Sequence, residues 1–237
     1  MIDFQEGTVL YFDKPLRWTS FDVVNKVRWH LCRKLGMKRL KVGHAGTLDP
    51  LATGVMMVCT GRMTKRIDEL QAQTKEYVAT LRLGATTPSF DLEHDIDATY
   101  PTEHITREQV EQVLQQFTGR IEQIPPAYSA CKIDGKRAYD LARRGKDVPL
   151  KPKVLVIDEI ELLDCNLAPK TADSSSFPSI TIRVVCSKGT YIRALARDIG
   201  LALHSGAHLT ALRRTRVGDI RVEQCQQIDD FIKSFTI

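Results

Sequence analysis

The apolar positions of this 237-residue chain follow two periods, and together they predict short strands interrupted irregularly by helices. Thr8 to Phe12 reads as a strand. Ser20 reads as a helix N-cap, and Phe21, Val24, Val27, Leu31 and Leu35 then recur at helical spacing until Gly36 stops the helix. Gly54 to Thr60 is a short apolar strand, and Thr64 to Gln71 a helix. Tyr77, Ala79, Leu81 and Leu83 alternate with Val78, Thr80 and Arg82, the pattern of a partly exposed strand. Thr106-Arg107-Glu108-Gln109 is a capping box that opens a helix ended by Gly119.

Further along, a strand from Tyr128 to Ile133 meets the tight-turn pair Asp134-Gly135, followed by a helix that Gly145 stops. Val154 to Leu163 and Ile180 to Cys186 read as two longer strands. Between them, the polar Ser/Pro-rich stretch at about residues 168–179 reads as a surface loop. Thr190 to His204 reads as a helix, His208 to Ile220 mostly as strand, and a short helix closes the chain. The pattern predicts an α+β fold around a mixed, largely antiparallel central sheet flanked by helices and loops. No internal repeat is present, and residues 1–237 read as one domain.

Composition narrows the class. Hydrophobic residues at 43% and charged residues at 27% are those of an ordinary soluble protein. The N-terminus has acidic residues and no apolar signal region, and no apolar run has the length of a membrane span, so a cytoplasmic protein is expected. The six cysteines are scattered without a C-x-x-C and read as reduced thiols. Net charge is only +5 but uneven. Val23 to Leu48 carries seven basic residues and no acidic one, and residues 183 to 216 carry seven basic residues against Asp198 alone. Two basic stretches of this kind suit a polyanion such as RNA.

The segment Gly43-His44-Ala45-Gly46-Thr47-Leu48-Asp49, followed by Pro50-Leu51-Ala52-Thr53-Gly54, sets one carboxylate on a glycine-rich loop beside a histidine. Pro50 biases Asp49 toward an extended backbone. Taken alone, Asp49 reads equally as a turn or capping aspartate in a Gly/Pro-rich connection. The string resembles the catalytic motif of the TruB-type tRNA pseudouridine synthases. Other segments resemble that family in the same order: Leu10 to Pro15, Lys75-Glu76-Tyr77, Ile124 to Ala130, Lys132 to Tyr139, Cys186 to Arg193, and Gly206 to Arg214.

The resemblance implies a pseudouridine synthase fold and the conversion of uridine to pseudouridine by base flipping, with uridine 55 in the T arm of tRNA as substrate. This isomerisation breaks the N1–C1′ bond and rejoins the base through C5, so neither cofactor nor metal is needed. By the same resemblance Asp49 is the nucleophile; whether it attacks C1′, attacks C6 or promotes elimination to a glycal stays open. All three routes need an ionised carboxylate, which burial opposes and a nearby cation supports. Arg193 is the implied cation, because a guanidinium can hold a carboxylate through two parallel hydrogen bonds. Tyr77 is the implied stacking partner of the target uracil, with its hydroxyl near the reacting centre. His44 is implied to fill the gap left by the flipped base, and Tyr191 and Leu212 to line the pocket. Lys14, Lys65, Lys132 and Lys136 are expected on phosphates.

Two departures and two rivals accompany this reading. Only about 15 residues follow Val222, too few for the RNA-holding PUA domain of many bacterial relatives. Thr87 to Asp91 only approximates the family's Thr-x-Thr-x-Asp pattern, and Asp91 to Asp97 reads as an acidic loop without the spacing of a calcium loop. One rival is a non-catalytic RNA-binding protein. The other is a metal-dependent hydrolase built on His204 and His208, four residues apart as on one helix, together with the acidic loop. The expected state is a monomer whose partner is tRNA and not a membrane.

Overall fold

The computed structural model describes residues 3–129, 131–133, 135–145, 148–167 and 177–234. Its first strands are β1 (Val9–Lys14), β2 (Val42–His44), β3 (Ala52–Thr60), β4 (Lys75–Leu83), β5 (Ala85–Thr86), β6 (Ala98–Thr99) and β7 (Gly119–Gln123). They are followed by β8 (Lys132–Ile133), β9 (Lys136–Arg137), β10 (Lys153–Asn166), β11 (Ser179–Cys186), β12 (Ala207–Val217) and β13 (Ile220–Arg221). The α-helices are α1 (Ser20–Lys34), α2 (Ile67–Ala72), α3 (Arg107–Gln116), α4 (Ala138–Ala142), α5 (Ile192–Ala202) and α6 (Ile228–Lys233). The chain divides into two compact units, Met1–Tyr77 with Leu212–Ile237, and Val78–Ala211.

In the first unit β3 is the hub. β1 runs antiparallel to it from Val9 opposite Cys59 to Lys14 opposite Gly54, and β2 runs antiparallel to its far end. Residues Leu212 to Arg214 of β12 pair with Ala52 to Gly54 in parallel. Apart from Thr53, every residue of β3 is buried, as its near-continuous apolar run requires. Met56 and Val58 join Phe12, Val24, Val27, Leu31 and Phe231 in one core cluster. The Phe12 and Phe231 rings meet edge-on at 5.2 Å. Val55 and Met57, on alternate positions, join Ala45, Val217 and Val222 in another. Burial of one such side chain is worth about 1.5–3 kcal/mol, so packing on both faces fixes the strand that starts just after Asp49.

In the second unit the strands from Val78 of β4 onward follow the order β4-β11-β10-β7, with β10 antiparallel to both β11 and β7. β4 buries Ala79, Leu81 and Leu83 in alternation, as its sequence predicts. α3 packs on β10 and on α5. Gly200 lets α5 come close to the start of β12, because a Cβ there would overlap Gly206 and Ala207.

The capping box at Thr106 forms as expected, with Gln109 completing it. Other elements differ. The N-cap of α1 is Thr19, whose hydroxyl accepts from the Asp22 amide, because the Ser20 hydroxyl is used elsewhere. Phe21 and Leu35, expected on the buried stripe of α1, are exposed, and Val23 is buried in their place. The expected helix at Thr64 opens as a 3₁₀ turn, Gly61–Arg66, before α2. The strand expected from Tyr128 is confined to Lys132–Ile133. The expected polar loop lies, over residues 168–176, outside the described residues, as does Asp134 of the turn pair.

Candidate active site

In the first unit, the segment carrying Asp49 leaves β2 at His44 and enters β3 at Ala52. Its main chain is tied at several points. The Ala45 amide donates to the Met57 carbonyl at 3.0 Å. Ser20, buried at the start of α1, accepts from the Leu48 amide at 2.8 Å and donates to the Leu48 carbonyl at 3.0 Å. The Pro50 carbonyl accepts from the Arg17 amide at 2.7 Å and from the Lys14 ammonium at 3.3 Å. The Asp49 carbonyl accepts from the Ala52 amide at 3.1 Å, closing the turn into β3. Asp49 itself is half-buried, between two residues whose backbones are fixed. These ties fix the main chain from which the Asp49 side chain projects.

Lys14 departs from the expected phosphate contact. It is fully buried, and its ammonium donates to the carbonyls of Trp18 at 2.6 Å and Pro15 at 2.9 Å as well as to Pro50. An ammonium enclosed by three carbonyls does not reach a surface phosphate. Burial lowers its pKa to about 8, against the opposing pull of the Asp49 charge. Arg214 on β12 is also buried, with Nε on the Val55 carbonyl at 2.7 Å and a terminal nitrogen on the Gly46 carbonyl at 3.2 Å. The pKa of His44 is lowered, first by burial and then by the Arg214 charge, so the ring is neutral at neutral pH. Its Nδ1 has no hydrogen-bond partner among the described residues.

Tyr77 is buried near the start of β4, and Leu212 is half-buried in register with Ala52. Lys65 is exposed and lines a groove with Arg39, Lys41 and Arg62, a placement that suits phosphate. The side chains of Lys132 and Lys136 lie outside the described residues.

In the second unit Arg193 lies in the first turn of α5 and is buried. Its guanidinium donates to the Tyr128 carbonyl at 2.9 Å and the Ser89 carbonyl at 3.2 Å, and its Nε lies 3.6 Å from the Asp91 carboxylate. Asp91 is therefore no part of a solvated acidic loop: it is buried beside Arg193, and it accepts from the Glu93 amide at 3.0 Å. Its place in the imperfect Thr-x-x-x-Asp string is the one trace of this in the sequence. Tyr191 caps α5 with its amide on Gln123 at 2.9 Å, and burial, partly offset by a bond to Ser129, raises its phenol pKa.

The histidines of the rival metal site do not share a helix. α5 ends before the exposed His204, while His208 is buried on β12 with Nδ1 on the Ala85 carbonyl at 2.9 Å. No cluster of three or more His, Cys, Asp or Glu suited to a metal ion occurs among the described residues.

This architecture is that of a pseudouridine synthase. It matches a chain of a Cbf5-Nop10-Gar1 complex with a TM-score of 0.67 at 29% identity, covering 97% of this chain and 54% of that one. A chain of an H/ACA RNP bound to a substrate RNA containing 2′-deoxyuridine matches with a TM-score of 0.64 at 28% identity, covering 97% and 53%. This chain thus spans about half the length of those solved chains. The profile of the TruB family pseudouridylate synthase N-terminal domain matches residues 33–192, and that of the tRNA pseudouridylate synthase B C-terminal domain matches residues 193–236. A tRNA pseudouridine synthase B of Phocaeicola vulgatus is 73% identical over 230 residues, 97% of this chain and 94% of that protein. One from Bacteroides fragilis is 71% identical over 224 residues, 94% and 92% of the two. The chain belongs to the TruB family of tRNA pseudouridine synthases, which are isomerases.

Proposed function

We propose that the chain converts uridine 55 in the T arm of tRNA to pseudouridine, acting as a cytoplasmic monomer without cofactor or metal. The base flips out of the T loop, the N1–C1′ bond breaks, C1′ rejoins the ring at C5, C5 loses its proton and N1 gains one. Asp49 is the nucleophile. The observation that carries this reading is the fixed backbone around Asp49, with Leu48 tied to Ser20 and Pro50 tied to Lys14 and Arg17. Binding alone needs no carboxylate on a main chain tied so firmly. The family resemblance supports Arg193 as the cation for the reaction and Tyr77, His44, Tyr191 and Leu212 as contacts to the flipped nucleotide. Lys65 and its basic groove serve the phosphates.

The test is tritium release from a T-arm stem-loop transcript labelled at C5 of its uridines. Release of one equivalent per RNA, lost when uridine 55 is replaced by cytidine, is expected. Undiminished release from the cytidine transcript would refute the site.

A further inference from the structure

Arg214 is a buried guanidinium to which neither the sequence reading nor the family resemblance gives a role. It follows Leu212 on β12, where strand alternation sends Arg213 and Arg214 to opposite faces. Arg213 turns to Asp13, at 2.7 Å, and to Thr53. Arg214 turns inward, and only 1% of it is exposed. Its backbone sits so close to Gly54 that a Cβ on that residue would overlap it, and Gly54 takes a φ of +105° that favours glycine.

From that position the guanidinium bridges two carbonyls, Gly46 three residues before Asp49 and Val55 six residues after it. A guanidinium stays charged in a protein, and burying that charge on neutral acceptors is costly. Surface packing does not demand such a group. A planar fork of donors, however, holds two carbonyls on separate nitrogens at a fixed spacing, where the Lys14 ammonium gathers carbonyls to one point. The two carbonyls belong to the entry and the exit of the segment that carries Asp49. The positive charge is felt beside the segment as well, since after burial it is a further cause that lowers the pKa of both His44 and Lys14.

We propose that Arg214 is a positioning residue for the reaction: its guanidinium closes the segment from Gly46 to Val55 and so sets where the Asp49 carboxylate stands. The proposal rests on Asp49 being the nucleophile. Displacement of a reacting group by about 1 Å can cost on the order of 10²-fold in rate. Arg214→Lys keeps the charge but loses the two separate nitrogens that reach the Val55 and Gly46 carbonyls, so the bond-making step slows while RNA binding does not.

The experiment measures single-turnover tritium release and RNA affinity for wild type, Arg214→Lys and Asp49→Ala on the same transcript, with the thermal midpoint of each. The expected result is a rate for Arg214→Lys lower by about 10- to 100-fold at saturating enzyme, with the dissociation constant within about twofold of wild type. A purely structural role would lower the midpoint but leave the rate of the folded protein within about twofold, and that result overturns the proposal. Weakened RNA binding at an unchanged rate overturns it too. If Arg214→Lys does not fold, Arg214→Gln, which still donates to one carbonyl, is read by the same split. Release by Asp49→Ala at the wild-type rate would remove the nucleophile instead, whatever Arg214 does, so the two failures are distinct.

Discussion

Two of the regions that bury arginine or lysine use the charge differently. Around the Asp49 segment, Lys14 and Arg214 send their hydrogen bonds to main-chain carbonyls, those of Pro15, Trp18, Pro50, Gly46 and Val55. In the second unit Arg193 also reaches carbonyls, of Ser89 and Tyr128, but has the Asp91 carboxylate 3.6 Å away. Cations on carbonyls fix backbone and leave a positive field for a loop carboxylate to use. A cation beside a carboxylate is aimed by it and carries less net charge. The first arrangement builds a platform, and the second orients a guanidinium.

Between the two arrangements, the larger loss of rate is expected from breaking the second. Arg193→Lys loses the planar fork, and its single-turnover rate should fall by roughly 100-fold. Asp91→Asn removes only the charge that aims Arg193, and a loss of about tenfold is expected. Near-normal turnover in both would show that the aimed guanidinium is not used in the reaction.

Breaking the platform should cost stability. Lys14→Met leaves three carbonyls without their shared donor, and near pH 10, where the penalty for burying the ammonium has gone, a loss of about 1–3 kcal/mol is expected in chemical denaturation. The pH dependence sharpens the point. The folded pKa of Lys14 is about 8. The unfolded value is about 10.4, so between the two the unfolded chain binds more protons and stability rises with pH. Below about pH 8 the penalty for burying the ammonium is complete. Denaturation midpoints across that window should climb less in Lys14→Met than in wild type. Equal slopes would mean that Lys14 titrates as an exposed lysine does.

An exposed cation supplies the contrast to both. Lys65→Ala should leave stability unchanged, weaken RNA binding a few-fold and reduce the slope of log affinity against log salt by about 1. An unchanged slope would take Lys65 off the phosphates.

How far the sequence could be read follows from the same contrast. The alternation in β4 and the capping box at Thr106 depend on neighbours in the chain, and both are found where their residues predict. Ser20 and Thr19 are both capping residues, and only the distant Leu48 decides that Ser20 is diverted and Thr19 caps. Lys14, Asp91 and Arg214 read as surface charges because their letters usually are. Each has at least one partner distant in the chain, Pro50 for Lys14, Arg193 for Asp91 and Gly46, at 168 positions, for Arg214. The Asp49 loop was legible as a motif, but the ties that hold it were not.

The most direct test of the account is single-turnover tritium release by Asp49→Asn, a variant of nearly the same shape, beside its affinity for the same T-arm RNA. No detectable release is expected, with affinity within about twofold of wild type, since only the ionised carboxylate is lost. Release at the wild-type rate would show that Asp49 is not the nucleophile and that the platform beneath it serves some other purpose.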